Sequence, residues 1–304
     1  MTVLLTGATG FIGRVVYRWL CESGFGVIGI DRWPAASGKD EKSSACNQVL
    51  ACDLTDPASL DALFASHRFD AVIHLAAVLP SAASKDPIGA TRVNVDASLA
   101  LLERTIRYGV QRFVFGSSTS VYGAAGADAP ISEHVPAAPT DVYGGGKRAV
   151  EIVGENLQKN DGIEFVALRI ATVVGAGARN TSSAWRSEIF EKLGSGETIS
   201  LPYAADDPLT VVHVDDVARM LLTLTQTRTL QHAVYNTPAE LLTAAELKRI
   251  IEFVAPEARI ELTGRTRPLA PLADGSRFAL EFGFELTSLE QHLRAKFLQS
   301  SNQI

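Results

Sequence analysis

Residues 3–20 read VLLTGATGFIGRVVYRWL. The opening VLLT is a short run of apolar and β-branched residues, which predicts a buried strand. From Phe11 the pattern changes, and FIGRVVYRWLCES (11–23) places its apolar residues at helical spacing. Between strand and helix stand Gly7, Gly10 and Gly13, a G-x-x-G-x-x-G spacing. In such a turn Gly7 permits the sharp exit from the strand. Gly10 lets backbone N–H groups approach a pyrophosphate, and Gly13 lets the helix pack closely on the strand. The helix N-terminus adds positive potential for the phosphates. A glycine triplet alone is a weak signal. Its place between a strand and an amphipathic helix makes it a dinucleotide-binding turn.

The same alternation continues outward from this unit. VIGI (27–30), VLACDL (49–54), AVIHLAA (71–77), RFVFGSS (112–118) and EFVALRI (164–170) read as strands. Helices are expected from about Asp56–Pro57, from Ile88 to Tyr108 and from Val142 to Lys159. Near-continuous apolar strands alternating with helices predict an α/β fold, a doubly wound parallel sheet with helices on both faces. After Ala171 the rhythm changes to a long polar loop and a helix over 184–194. A strand near ISLPY, a strand-to-helix stretch TVVHVDDVARMLLTLTQ and a strand at VYNT (234–237) follow. Thr243 and Glu246 match a capping box opening another helix, and SLEQHLRAKFLQ reads as the last one. The expected domains are 1–172, with returning elements at 209–237, and a smaller C-terminal α/β substrate lobe over 173–304.

The chain has 304 residues, 46% hydrophobic and 20% charged, enough for a sizeable core. Its formal net charge of −6 and the lack of a Lys/Arg-rich run argue against nucleic acid as a partner. No run of apolar residues reaches membrane-spanning length, and MTVLLTGATG has no signal-peptide character. Cys21, Cys46 and Cys52 lack metal-ligand spacing, so no metal is expected and a reducing cytoplasm is the simplest setting.

The stretch TDVYGGGKRAVE places Tyr143 and Lys147 four residues apart, on one face of a helix. An ammonium near a phenol favours the phenolate, which makes tyrosine a usable acid/base near neutral pH. Strand five ends in GSSTS, so Ser117, Ser118 or Thr119 falls at the carboxyl end of a parallel strand, where ligands bind. Asp31, at the end of strand two, suits the ribose hydroxyls of an adenosine and repels a 2′-phosphate. That favours NAD over NADP, while Arg32 beside it keeps NADP open. Asp53 suits either the adenine amino group or the start of the next helix.

In this order, TGATGFIG, IGID, CDL, HLAA, the Asn94 helix, SSTSVYG, YGGGK and VHVDDVA resemble the extended short-chain dehydrogenase/reductase superfamily. More narrowly they resemble its NAD-dependent epimerase/dehydratase branch. The resemblance covers most of the chain and is weakest between about Val173 and Asp207. It implies a Rossmann fold, bound NAD and a catalytic set of Ser118, Tyr143 and Lys147. Ser118 would hold the substrate oxygen, Tyr143 would be the acid/base, and Lys147 would bind the nicotinamide ribose and tune Tyr143. The cofactor side would comprise Gly7, Gly10, Phe11, Ile12, Gly13, Asp31, Arg32, Asp53, Leu54, Leu75, Ala76, Ala77 and Asn94, besides Tyr143 and Lys147. Helices 88–108 and 142–159 pair across a two-fold axis in many relatives, which implies a homodimer. The family often has serine where this chain has Gly146.

Two departures bear on the substrate. Relatives acting on nucleotide-diphosphate sugars carry an asparagine where this chain has Thr172 and Val173, and an arginine where it has Leu209. Losing both removes the groups best suited to phosphate. ARNTSSAWRSEIF instead resembles small-substrate members of the branch, the threonine and sugar-acid dehydrogenases. Ser118, Thr119, Thr172, Arg179, Asn180 and Arg186 are the candidate substrate contacts, an inward arginine suiting a carboxylate or polyol. The alternative for either arginine is a solvated surface position. His213 and His74 read as structural, and Asp215 and Asp216 as the start of a helix. The expected activity is NAD-dependent oxidation of a small sugar acid, hydroxy acid or related polyol. A nucleotide-sugar 4-epimerase or dehydratase and a non-catalytic NAD-sensing protein are the alternatives.

Overall fold

A computed structural model describes residues 1–33, 48–125, 129–178, 183–264 and 269–301. The chain begins with β1 (Thr2–Thr6), α1 (Phe11–Glu22), β2 (Gly26–Asp31) and β3 (Gln48–Ala51). Next come α2 (Pro57–Ser66), β4 (Ala71–His74), α3 (Pro80–Ala83) and α4 (Pro87–Thr91). A π-helical turn (Arg92–Asp96) leads into α5 (Ala97–Arg107) and β5 (Arg112–Ser118). A 3₁₀ turn (Thr119–Tyr122), α6 (Val142–Asp161), β6 (Glu164–Ile170) and β7 (Thr172–Val174) follow. The rest comprises α7 (Trp185–Glu191), β8 (Thr198–Leu201), β9 (Pro208–His213), α8 (Val214–Gln226) and β10 (Val234–Asn236). It closes with β11 (Glu240–Thr243), α9 (Ala244–Val254), β12 (Arg259–Leu262), α10 (Ser276–Phe282) and α11 (Leu289–Ser301).

Seven strands form one sheet in the order β10-β6-β5-β4-β1-β2-β3. The pairs β1·β2, β1·β4, β2·β3 and β4·β5 are parallel. Strand order reverses between β1 and β4, the switch point at which doubly wound sheets bind ligands. Leu4, Ile30, Phe64, Phe113, Phe115 and Phe165 belong to the buried cluster against this sheet. Three-stranded β11-β9-β7 and two-stranded β12-β8 sheets are separate from it. The fold is thus α/β with a mostly parallel Rossmann-like sheet.

The chain forms two compact units. One comprises Met1–Ala124, Pro136–Arg169 and Ala218–Tyr235. The other comprises Ala125–Val135, Ile170–Val217 and Asn236–Ile304. In the second, Trp185, Ile189, Phe190, Leu209, Val211, Leu247, Ile251 and Leu293 share a buried core.

Several elements differ in detail from the sequence reading. β4 stops at His74 because the Leu75 and Ala76 N–H groups turn to the Thr6 hydroxyl, each at 3.2 Å. The expected helix 88–108 is interrupted by the π-helical turn at Arg92–Asp96. Strand β9 joins the small sheet, while β10 lies at the edge of the large one. The Thr243–Glu246 capping box forms in both directions. Asp215 and Asp216 do occupy the first turn of α8.

Candidate active site

The glycine turn is fixed by close approach. Gly7 has φ +69°, and a Cβ there would lie 2.8 Å from the Ala76 nitrogen. A Cβ on Gly13 would lie 1.9 Å from the Gly7 carbonyl oxygen, so helix and turn touch backbone to backbone. Phe11 and Ile12 open α1, whose N-cap is Gly10, with no side-chain cap and no acid in the first turn. Its first N–H groups therefore suit an anion. Thr6 ties this turn to the next strand, bonding Leu75 and Ala76 as above and the His74 Nδ1 at 2.6 Å. The other His74 ring nitrogen, Nε2, bonds Ser98 Oγ at 2.8 Å. Full burial, with Lys147 nearby, pushes the His74 imidazole down to about 3, so it stays neutral.

Asp31 ends β2 with its carboxylate already oriented. It accepts from Thr9 Oγ1 at 2.6 Å, Thr9 N at 3.1 Å and Arg32 N at 2.8 Å. The Arg32 guanidinium lies 3.1 Å from Asp53 and stacks 4.4 Å over the exposed Trp33 ring. Asp53 accepts from the Thr55 hydroxyl and N–H, which with Arg32 hold its carboxyl below the usual range. The cap of α2 is Asp56, whose carboxylate accepts from Ala58 N and Ser59 N. Leu54 is buried in the core beside them. Asp53 already pairs the Arg32 guanidinium and the Asp31 carboxylate accepts from the Arg32 N–H, so a 2′-phosphate would find this arginine engaged while a ribose diol finds acceptors. These residues fit NAD.

The catalytic candidates gather in the same unit. Ser118 closes β5 and caps the 3₁₀ turn, accepting from Ser120 N at 3.1 Å. Thr119 behind it is buried. Helix α6 starts with Asp141 accepting from Gly144 N at 2.7 Å, which secures the glycine-rich first turn. Tyr143 and Lys147 follow on one face. Lys147 is buried, donates to the Gly116 carbonyl at 2.7 Å, and lies 4.6 Å from the Phe115 ring centre and 5.8 Å from that of Tyr143. Burial lowers its ammonium to about 8, with Glu151 opposing the shift. Asn94, on the π-helical turn, spends its amide on the loop after β4. It accepts from Val78 N at 2.7 Å and donates to Val78 O at 2.9 Å. Its side chain thus shapes the loop that begins with Leu75, Ala76 and Ala77.

A buried ionic group beside this set escaped the sequence reading. Glu151 is fully buried and accepts from Ser117 Oγ at 2.6 Å, Arg169 at 3.0 and 2.8 Å, and Arg148 at 3.0 Å. Arg169 also donates to the Tyr122 hydroxyl at 2.8 Å. The signal was present: an arginine inside the apolar run EFVALRI demands a buried acceptor.

In the second unit Thr172 is buried in β7, and Arg186 lies in α7, its carbonyl accepting from Gly175 N at 2.9 Å. Arg179 and Asn180, with Thr181 and Ser182, lie outside the described residues. Leu209 is packed in the core. His213 and His292 stack with ring centres 3.7 Å apart, and His292 lies 2.8 Å from Asp216. Donor atoms of His213, Asp215 and His292 fall within 4.8 Å of one another. The stacked pair and the Asp216 contact join α11 to β9 and to the first turn of α8.

A doubly wound dinucleotide site carrying serine, tyrosine and lysine beside it defines the short-chain dehydrogenase/reductase class. Within that class the chain belongs to the NAD-dependent epimerase/dehydratase family, whose model matches residues 3–237. It is 31% identical to the D-erythronate dehydrogenase of Cupriavidus necator over an alignment of 326 positions, gaps included, covering 97% of each chain. It is 34% identical to the UDP-glucose 4-epimerase of Azospirillum brasilense over 176 residues, 57% of this chain and 49% of that one. The chain thus spans about half the length of the curated 4-epimerases it matches. A GalE-like L-threonine dehydrogenase from Cupriavidus necator shares the fold, with TM-score 0.87 at 22% identity over 98% of this chain and 99% of that one.

Proposed function

We propose that this protein is an NAD-dependent dehydrogenase of a small polar alcohol, a sugar acid or hydroxy acid. The observation that carries the substrate class is Leu209, sealed in an apolar core where a phosphate-binding arginine would have to stand. The near full-length likeness to a D-erythronate dehydrogenase supports the same reading. Ser118 Oγ and the Tyr143 hydroxyl hold the substrate hydroxyl, and Tyr143 takes its proton. Lys147 keeps a positive charge beside the phenol and holds the nicotinamide ribose. Oxidised nicotinamide, when bound, supplies the acceptor for the hydride leaving the substrate carbon. Asp31 and Asp53 set the preference for NAD over NADP.

The test is absorbance at 340 nm with NAD and a panel of sugar acids, hydroxy acids and L-threonine. At least one sugar or hydroxy acid is expected to reduce NAD, with NADP poorer by about tenfold or more. Silence across the panel, alongside interconversion of UDP-glucose and UDP-galactose, would replace this reading by the 4-epimerase one. That alternative is favoured by the 34% identity to the Azospirillum brasilense enzyme. There the same Ser–Tyr–Lys chemistry sends the hydride out and back.

The same reading includes a homodimer. Helices α5 and α6 leave an open groove lined by Leu99, Ala100, Glu103, Ile106, Val153 and Leu157, with Ile152 exposed beside it. Light scattering is expected to give twice the chain mass, and Ile152→Glu to shift it toward one; a wild-type monomer at micromolar concentration would refute this. Cytoplasmic residence belongs to the reading too, supported by the free buried thiol of Cys52. Among the described residues no helix is long and apolar enough to cross a membrane.

A further inference from the structure

We propose that Glu151 is a positioning residue of the catalytic set, one buried carboxylate that both anchors the strand end carrying Ser118 and sustains the charge on Lys147. The inference rests on the NAD-dependent reading above. Glu151 has no exposed surface, and its two oxygens take donors from three different elements. Ser117 of β5 donates to it at 2.6 Å, Arg169 of β6 at 3.0 and 2.8 Å, and Arg148 of α6 at 3.0 Å. Arg148 also meets Glu155 at 2.9 Å, and Arg169 reaches the Tyr122 hydroxyl at 2.8 Å. Ser117 precedes Ser118, and Tyr122 closes the 3₁₀ turn that Ser118 caps. The network therefore grips both sides of the substrate-binding hydroxyl without touching substrate.

Lys147 lies one helical turn before Glu151. The groups facing it are Tyr143 and Glu151 from α6, the Phe115 ring and Gly116 carbonyl from β5, and neutral His74 from β4. Glu151 is the anion among them, and it opposes the loss of charge that burial imposes on Lys147. Removing the carboxylate would also take its negative charge from beside the Arg169 cation, 2.8 Å away. Both effects drive Lys147 toward its neutral form. The sign is fixed: with Glu151 neutral, Lys147 loses its proton at lower pH.

The test uses full-length protein and NADH binding followed by fluorescence from pH 6 to 10, with kcat/KM added for a substrate found in the screen. Wild-type affinity is expected to fall as pH rises through the Lys147 titration. In Glu151→Gln that fall should come about one pH unit earlier. Glu151→Asp keeps the charge and should restore the wild-type position while lowering turnover. Ser117→Ala should leave NADH binding and its pH dependence unchanged and lower turnover roughly tenfold. A folded Glu151→Gln with an unshifted profile overturns the electrostatic role, and Ser117→Ala with wild-type turnover overturns the anchoring role. Should Glu151→Gln not fold, Glu151→Asp decides, because a shifted profile with the charge retained contradicts the proposal. NADH binding needs no substrate, so a failed substrate screen leaves this test intact, whereas wild-type protein that does not bind NADH refutes the underlying reading.

Discussion

Tyr143→Phe is expected to lower kcat by about a thousandfold while leaving NADH affinity and thermal stability close to wild type. Only one oxygen is removed, from a partly buried side chain at the start of α6. The ring that lies 5.8 Å from Lys147 is retained, so the helix face should hold. What is lost, on the proposed reading, is the group that accepts the substrate proton. On that reading Ser118 can still bond the substrate oxygen, but the hydroxyl at 3.2 Å from it, Ser120 Oγ, is too weak a base to take the proton. His74 offers no substitute, because it is buried, neutral and engaged by Thr6 and Ser98. The effect should therefore fall on kcat and on kcat/KM alike, the signature of an interaction made in the transition state. Stopped-flow measurement of NADH formation would check it. A variant retaining a tenth or more of wild-type turnover would remove Tyr143 from the acid/base role and leave the hydride chemistry to another proton acceptor.

Much of this site was legible because its signals are local. The strand, glycine turn and helix of residues 3–22 follow from apolar periodicity and from where glycine is sterically required. Tyr143 and Lys147 share a face by helical geometry alone. What stayed hidden is non-local. Glu151 and Arg169 sit on different elements, and only the packing of α6 on β5 and β6 brings them to 2.8 Å. The π-helical turn at Arg92–Asp96 likewise has no local sequence signature; its Asn94 meets the Val78 backbone, sixteen residues away in the chain, only once the fold is formed. Strands β7, β11 and β12 have three or four residues each, too few for alternation to declare itself. They are strands because neighbouring backbone is there to pair with, as β11 does with β9. By contrast Leu209 could be read only as the absence of a cation until its burial gave that absence a physical meaning.

The three glycines after Tyr143 should respond to substitution in three different ways. Any side chain in place of glycine gains helix propensity, about 1 kcal/mol for alanine. At Gly144 that gain is outweighed. A Cβ there would lie 2.4 Å from the Ser120 carbonyl oxygen and 2.9 Å from its carbon, both backbone atoms of the turn that follows Ser118. The turn or the helix start must move by most of an ångström, and overpacking of this kind costs about 1–3 kcal/mol. Gly144→Ala is therefore expected to lose about 1 kcal/mol net and, because the shift separates Ser118 from Tyr143, to cut kcat/KM roughly a hundredfold. Beyond its own helix backbone and chain neighbours, Gly145 has no described atom within 4 Å of an added Cβ, so Gly145→Ala should raise stability by about 1 kcal/mol with activity within about twofold. Gly146→Ser meets only side chains, Val95 at 3.3 Å and Asn94 at 3.6 Å, and a small rotation of Val95 relieves it. It should be near neutral in both measurements. Urea denaturation and steady-state kinetics on the three variants would separate these outcomes. A harmless Gly144→Ala would show that the turn can yield without moving Ser118. A stabilised but inactive Gly145→Ala would instead place the bound ligand against α6 at that position, making the open space beside Gly145 part of the site.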